Sequence, residues 1–302
     1  MQPTPEEIRD AAQLIREGKL VAFPTETVYG LGANALDPEA VGRIYEAKGR
    51  PSSSPLIVHV AGLAMARRVA ADWPEIAEKL AARFWPGPLT LVLPKNLAIP
   101  DIVTAGLPSV AIRMPSHPVA LRLIELAGVP VAAPSANRFT GVSPTMAEHV
   151  RLGLGDRVQM ILNGGPSQVG IESTVVSLTG RTPVILRLGM IAASDLEAAT
   201  GVSCEQADPV AKGPAESPGL HPRHYAPRTP LYILEPRSAA VPEGRGRILN
   251  LPSDPAEYAA RIYAELHSAD REGWDWIAVE KPPDTPEWAA IRDRLQRAAT
   301  KL

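Results

Sequence analysis

Between Lys19 and His59 the chain reads KLVAFPTETVYGLGANALDPEAVGRIYEAKGRPSSSPLIVH: an apolar run, a Thr/Glu/Thr turn, a Lys-Gly-Arg-Pro loop and a second apolar run ending in His. LVAF and LIV are strand-like, and polar groups placed where strands stop lie where open α/β sheets bind ligands. Cations and hydroxyls gathered at such a place point first to a small anionic ligand.

The rest of the chain extends this pattern. A helix is predicted over residues 5 to 17, with Thr4 as N-cap, Pro5 in the first turn, Glu7 completing a capping box and Gly18 ending it. A strand at 20–24 follows. Asp37-Pro38 caps a helix running toward Ala47, which puts Lys48 and Arg50 in the loop beyond its end. Further strands are predicted at 56–60, 89–93, 109–114, 129–133, 158–162, 174–178 and 183–188, and helices at 63–71, 74–84, 117–127, 145–152 and 194–200. The two types intermix without strict alternation, so the fold class is α/β with a mixed twisted sheet and flanking helices.

From about 203 to 230 the text turns rich in Pro and Gly and reads as a linker. Its SPGLHPRHYAP segment carries two His, an Arg and a Tyr, more functional side chains than a passive spacer needs. A strand at 231–234 and amphipathic helices at 255–267 and 286–299 around a WIAVE strand then make a small α/β domain. It is close to the size where a lone core is marginal, and is expected to lean on the larger domain. The expected division is therefore 1–205, a linker at 206–230, and 231–302.

Charge and cysteine content narrow the function. A formal net charge of −2 lacks the basic excess of a protein that grips nucleic acid mainly through phosphates. The single cysteine, Cys204, can form neither an internal disulfide nor a zinc cluster, which fits a reducing compartment. The acidic MQPTPEEIRD start has no apolar core of the kind a signal peptide or membrane anchor requires. A cytoplasmic chain without membrane association is expected.

No GxxxxGK[ST] occurs, so a nucleotide would not be held by a P-loop. Gly30-Leu-Gly32-Ala-Asn-Ala35 mimics a dinucleotide fingerprint, but Lys48 and Arg50 stand where a ribose-binding acid is expected; glycines in a bend beside a strand are the favoured reading. Lys48 and Arg50, stiffened by Pro51, suit either a phosphate clamp or a solvated helix end. Arg113, within the apolar run VAIRMP, needs an anion: an internal partner such as Glu26 or Glu172, or a ligand. His221 and His224 stand at HxxH spacing with no third ligand near, and no metal site is assigned. Neither a Ser/His/Asp set nor a nucleophilic Cys is apparent, so a covalent intermediate is not favoured.

Eight ordered segments carry a family resemblance: Phe23-Pro-Thr-Glu-Thr-Val-Tyr-Gly30, Lys48-Gly-Arg-Pro51, Pro55-Leu-Ile-Val-His59, Trp85-Pro-Gly-Pro-Leu-Thr90, Ala111-Ile-Arg-Met-Pro115, Ala133-Pro-Ser-Ala-Asn137, Gly170-Ile-Glu-Ser-Thr-Val-Val176 and Ile185-Leu-Arg187. In these the chain resembles the YrdC family of threonylcarbamoyl-AMP synthases over about residues 5 to 205, with a Sua-type linker and a shortened, Rossmann-like C-terminal domain beyond. The resemblance implies ATP, L-threonine and bicarbonate as substrates, Mg2+ accompanying ATP, and a product passed to a separate tRNA-modifying transferase; direct contact with tRNA is allowed but not required.

By the same resemblance Thr27, His59, Arg113, Ala133 and Ser135 would hold threonine and its carbamate. Lys48, Arg50, Ser54, Ser109, Ser135, Asn137, Ser143, Arg187, His224 and Tyr225 would hold ATP, with Lys48 and Arg50 as the catalytic cations. Thr25 would support Thr27. Ser54 stands where the family usually has Asn, and Ser109 where it usually has Thr. Residues 217 to 227 are expected to close over the site, because carbamates and mixed anhydrides decompose in water. Two other classes remain: a double-stranded-RNA or tRNA-binding module, against which the near-neutral charge argues, and a carbamoyl-transfer domain, which should carry paired CxxC motifs that this chain lacks.

Overall fold

The computed structural model describes residues 2–207, 224–236 and 242–300. Strands β1 (Val21–Phe23), β2 (Gly30–Asn34), β3 (Ile57–His59), β4 (Leu89–Pro94), β5 (Ser109–Arg113), β6 (Val131–Ala132), β7 (Met160–Ile161), β8 (Thr174–Ser177), β9 (Val184–Arg187) and β10 (Glu205–Gln206) form one sheet. Its order is β10-β9-β8-β4-β5-β3-β6-β2-β1-β7. Parallel pairs such as β3·β5 alternate with antiparallel pairs such as β4·β5 and β3·β6, so the sheet is mixed.

Helices cover both faces, as strand alternation requires. Val21 and Phe23 of β1 pack toward α1 (Pro5–Arg16), while Ala22 and, just before the strand, Leu20 join the core under α2 (Pro38–Lys48). Helix α1 buries Ile8, Ala11, Ala12 and Ile15, a stripe at helical spacing. Its predicted capping box is present: the Thr4 hydroxyl accepts from Glu7 N–H at 3.2 Å, and the Glu7 carboxylate accepts from Thr4 N–H at 2.7 Å. The remaining helices are α3 (Leu63–Val69), α4 (Glu75–Phe84), α5 (Asp101–Thr104), α6 (Pro118–Ala127), α7 (Ala147–Leu154), α8 (Ala193–Thr200), α9 (Pro255–Ala269) and α10 (Ala289–Ala298).

Two expectations are corrected. Gly30 and Gly32 are not in a bend but inside β2, where a Cβ on Gly32 would stand 2.7 Å from the Phe23 ring and 2.9 Å from Val131. The glycines make room for an aromatic ring crossing the strand. Lys48 is not in the loop: it is the last residue of α2, and Gly49, left-handed at φ 64, turns the chain out of the helix before Arg50.

A second sheet of β11 (Leu231–Leu234), β12 (Gly246–Ile248) and β13 (Trp276–Glu280) is parallel throughout, in the order β11-β13-β12. Its core is shared rather than private. Val28, Val142 and Ile171 from the larger unit pack into one cluster with Tyr263, Ile277 and Leu295. Gly170 shows how close the two units come: a Cβ there would lie 2.2 Å from the Ala259 carbonyl oxygen in α9. Only glycine permits that backbone approach, and its φ of +79 demands glycine as well.

Candidate active site

Strand alternation builds the floor of the site. Val58 and Ile112 point into the main core, so their neighbours Ile57 and His59 in β3, and Ala111 and Arg113 in β5, face the other way. Parallel pairing sets His59 beside Arg113. Above them is a cavity of about 50 Å³, several times the roughly 10–15 Å³ that one water needs. The expected residues Thr27, Arg50, His59, Arg113, Ala133, Ser135, Arg187, His224 and Tyr225 all line it, with Thr25 and Glu172.

The remaining expected residues stand behind this wall or away from it. Lys48 is buried, and its ammonium donates to the carbonyls of Ser135 and Asn137 and to Asn137 Oδ1. Those bonds occupy all three donors. The side chain thus braces the loop that runs from Ser135, which lines the cavity, to Asn137. Burial, then the nearby Arg50, pushes its pKa well below the usual lysine value. Asn137 is tied into the same loop through its Nδ2, which donates to the Gly141 carbonyl at 2.7 Å. Ser143 donates to Glu172 at 2.6 Å. The Ser54 carbonyl accepts from Tyr45 beside Arg50. Ser109 shares the cavity face of β5 but lies four residues before Arg113, roughly 13 Å along the strand, and does not reach the cavity.

Arg113 combines the two roles left open by its sequence context. Its guanidinium donates to Glu26 at 2.7 Å and to the Gly87 carbonyl at 3.3 Å. A guanidinium carries five donors, so it can keep Glu26 and still take an anion from the cavity. Arg50 is anchored by the Pro55 carbonyl at 3.1 Å and sits 5.7 Å from the centre of the Phe139 ring. Desolvation lowers its pKa to about 10.

His59 and His224 are neutral at physiological pH, because burial lowers both pKa values to about 3, helped by Arg113 at the first and by Arg50 and Lys48 at the second. Among the described residues five buried polar atoms have no hydrogen-bond partner: the Tyr258 hydroxyl and Trp276 Nε1 lie away from the cavity, while His59 Nδ1, His224 Nδ1 and the Tyr225 hydroxyl belong to residues of this one wall. Native structures rarely leave such groups unmatched, so their convergence marks a ligand-binding surface. Tyr225 also holds the left-handed backbone at φ 61, a strain that clusters at functional sites. Of the segment expected to close the site, 217–223 lie outside the described residues, as does His221; His224 and Tyr225 are the part seen to reach the cavity.

The chain is similar to known proteins over nearly its whole length. A family model named Sua5_yciO_yrdC, described as "Telomere recombination", matches residues 13–189, and one described as "Threonylcarbamoyl-AMP synthase, C-terminal domain" matches residues 191–300. The chain belongs to the Sua5/YrdC family. A threonylcarbamoyl-AMP synthase from Pyrococcus abyssi is 43% identical, with 97% of this chain and 94% of the relative covered. One from Bacillus subtilis is 44% identical, with 97% and 93% covered. The solved structure of P. abyssi Sua5 complexed with L-threonine superposes with a TM-score of 0.92 at 40% identity, covering 99% of this chain and 96% of that one.

Two contributors of the C-terminal domain to this Sua5/YrdC site went unnoticed in the sequence. Arg294 in α10 donates to Glu172 at 2.9 Å, and Tyr263 in α9 donates to the same oxygen at 3.1 Å. A signal was present: Ile291, Arg294, Leu295 and Ala298 are at helical spacing, so Arg294 lies on the apolar stripe of its helix.

Proposed function

We propose that the chain is an L-threonylcarbamoyladenylate synthase, and that it works by positioning. Threonine and bicarbonate condense to threonine carbamate with loss of water. A carbamate oxygen then attacks the α-phosphorus of ATP, the bond to the β-phosphate oxygen breaks, and pyrophosphate leaves. The single observation that carries this reading is the convergence of Arg50, Arg113 and Arg187 with three unmatched polar atoms on one cavity wall. Two anions must meet there, and fixed cations are what such a meeting needs from protein.

In this arrangement Arg113 takes the threonine carboxylate, with Thr27, His59, Ala133 and Ser135 around the amino acid. Neutral His59 can accept or donate a hydrogen bond without adding charge. Arg50, Arg187, His224 and Tyr225 meet the nucleotide, while Lys48, Asn137 and Ser143 shape the wall from behind, and Ser54 and Ser109 serve a more extended nucleotide. Mg2+ enters with ATP as part of the substrate. The site's own carboxylates do not fit a resident ion, because Glu26 is held by Arg113 and the Ser116 N–H, and Glu172 by Ser143, Tyr263 and Arg294. The cytoplasm, where a tRNA-modifying transferase would take the product, suits a chain with one cysteine.

Pyrophosphate release from ATP and bicarbonate, with each amino acid supplied in turn, tests the proposal. Threonine is expected to stimulate most. Release that ignores the amino acid, or salt-sensitive RNA binding without ATP turnover, would refute it.

A further inference from the structure

Glu172 is an anomaly in a cavity meant for anions. It is a buried carboxylate on the same wall as Arg50, Arg113 and Arg187, and a bare negative charge there would repel a triphosphate. Each of its oxygens is held: Oε1 by the Ser143 hydroxyl, Oε2 by Arg294 Nε and the Tyr263 hydroxyl. Burial alone would raise its pKa, but Arg294, then Arg187, and the bonds from Ser143 and Arg294 keep it below the usual glutamate value, so the group is charged and needs a counter-ion.

That counter-ion comes from the last helix of the chain. Arg294 is only 2% exposed and bonds three ways: to Glu172, to the Leu188 carbonyl at 2.7 Å just beyond Arg187, and to Asp293 at 2.7 Å. Its guanidinium also lies 5.2 Å from the centre of the Tyr225 ring, and Arg297, one turn on, receives the His224 N–H on its carbonyl. One side chain thus joins the wall carboxylate, the start of the loop after β9 and the His224-Tyr225 pair.

We infer that Arg294 is a positioning residue for ATP: by neutralising and orienting Glu172, it lets the C-terminal domain set the charge that the anionic substrate meets. Tyr263 holds the same carboxylate oxygen in support. The inference deepens the synthase reading and rests on it, yet ATP binding can be measured without turnover. A wild-type chain that bound ATP but released no pyrophosphate with threonine and bicarbonate would end that reading and leave this one testable.

The test is calorimetric titration of MgATP and of threonine into the full chain, with steady-state kinetics alongside. Arg294→Met should weaken ATP at least tenfold, chiefly through KM, while threonine affinity stays within threefold. Adding Glu172→Gln to that variant should return ATP to within threefold of wild type, a recovery that a purely structural role for Arg294 would not give. A weakening below tenfold, or a double variant as poor as the single one, would overturn the inference. Should Arg294→Met not fold, Arg294→Lys, which keeps the charge but loses the fork, should weaken ATP at least threefold with threonine unchanged, and adding Glu172→Gln should reverse that loss; ATP binding equal to wild type in Arg294→Lys, or no reversal, would overturn the inference equally.

Discussion

Where β3 and β5 end, the large sheet buries His59 and Arg113; the small sheet buries Ile277 and Val279 in β13 and leaves its ion pairs at the rim. At that rim Lys281–Glu235 has side chains 51% and 69% exposed and Arg247–Glu265 30% and 25%, against 4% and 6% for Arg113–Glu26. A fold gains little from burying charge, because desolvation offsets much of the attraction. Charge buried within one sheet and kept at the rim of the other is therefore a mark of what the first sheet binds. The seam between them is intermediate: Glu172–Arg294 is as buried as a substrate-site pair, yet half of it comes from the C-terminal domain.

The contrast is broken most severely at Arg113. Arg113→Ala strands Glu26 in the interior and should destabilise the chain by about 3–5 kcal/mol, seen in denaturant melts. Surviving protein should need at least tenfold more threonine. Lys48→Ala should instead damage ATP use about a hundredfold by releasing the Ser135–Asn137 loop; the reverse substrate pattern would mean that the two ends of the cavity are exchanged. At the seam, Gly170→Ala drives a Cβ into α9 and strains a positive φ. A loss of about 2–3 kcal/mol is expected, with ATP binding weakened in parallel; unchanged melting would contradict the close packing.

Acid sharpens the comparison further. His149 in α7 and His267 in α9 stack across the seam with ring centres 3.9 Å apart, and burial is the main cause that lowers their pKa values to about 3 and about 4. Arg271 disfavours the proton on both rings, and Asp270 favours it on His267. Folded, the pair is neutral, whereas the unfolded chain takes up protons below about pH 6.5. Stability is thus complete above that pH and is lost as pH falls toward 4 and then 3; one such histidine accounts for about 2 kcal/mol by pH 5. Melts at pH 7 and pH 5 should show a smaller loss in His149→Asn/His267→Asn than in wild type. The smallest effect belongs to the rim: Lys281→Ala should change stability by no more than about 0.5 kcal/mol.

Much of this was legible in the sequence because it is local. Thr4 with Glu7 announces a capped helix, alternation places His59 and Arg113 on a shared type of face, and the motif order ties the two ends of the site together. What escaped depends on distant neighbours. GLGAN lacks the branched residues of a strand, and only Phe23 packing across it explains its glycines. Lys48 lies inside α2 because Gly49 supplies the helix stop, and its donors are spent on a loop about ninety residues away, which no local pattern records. Arg294 was visible only as a charge on an apolar stripe, and its partner, 122 residues earlier, is known from the fold alone.

The most direct test is a structure of the chain with L-threonine and a non-hydrolysable ATP analogue bound together. The threonine carboxylate is expected against Arg113, with His59 and Thr27 around the amino acid and the α-phosphate facing its amino group from the side of Arg50 and Arg187. Ligands bound at separate surfaces, or a threonine carboxylate turned away from Arg113, would contradict the account.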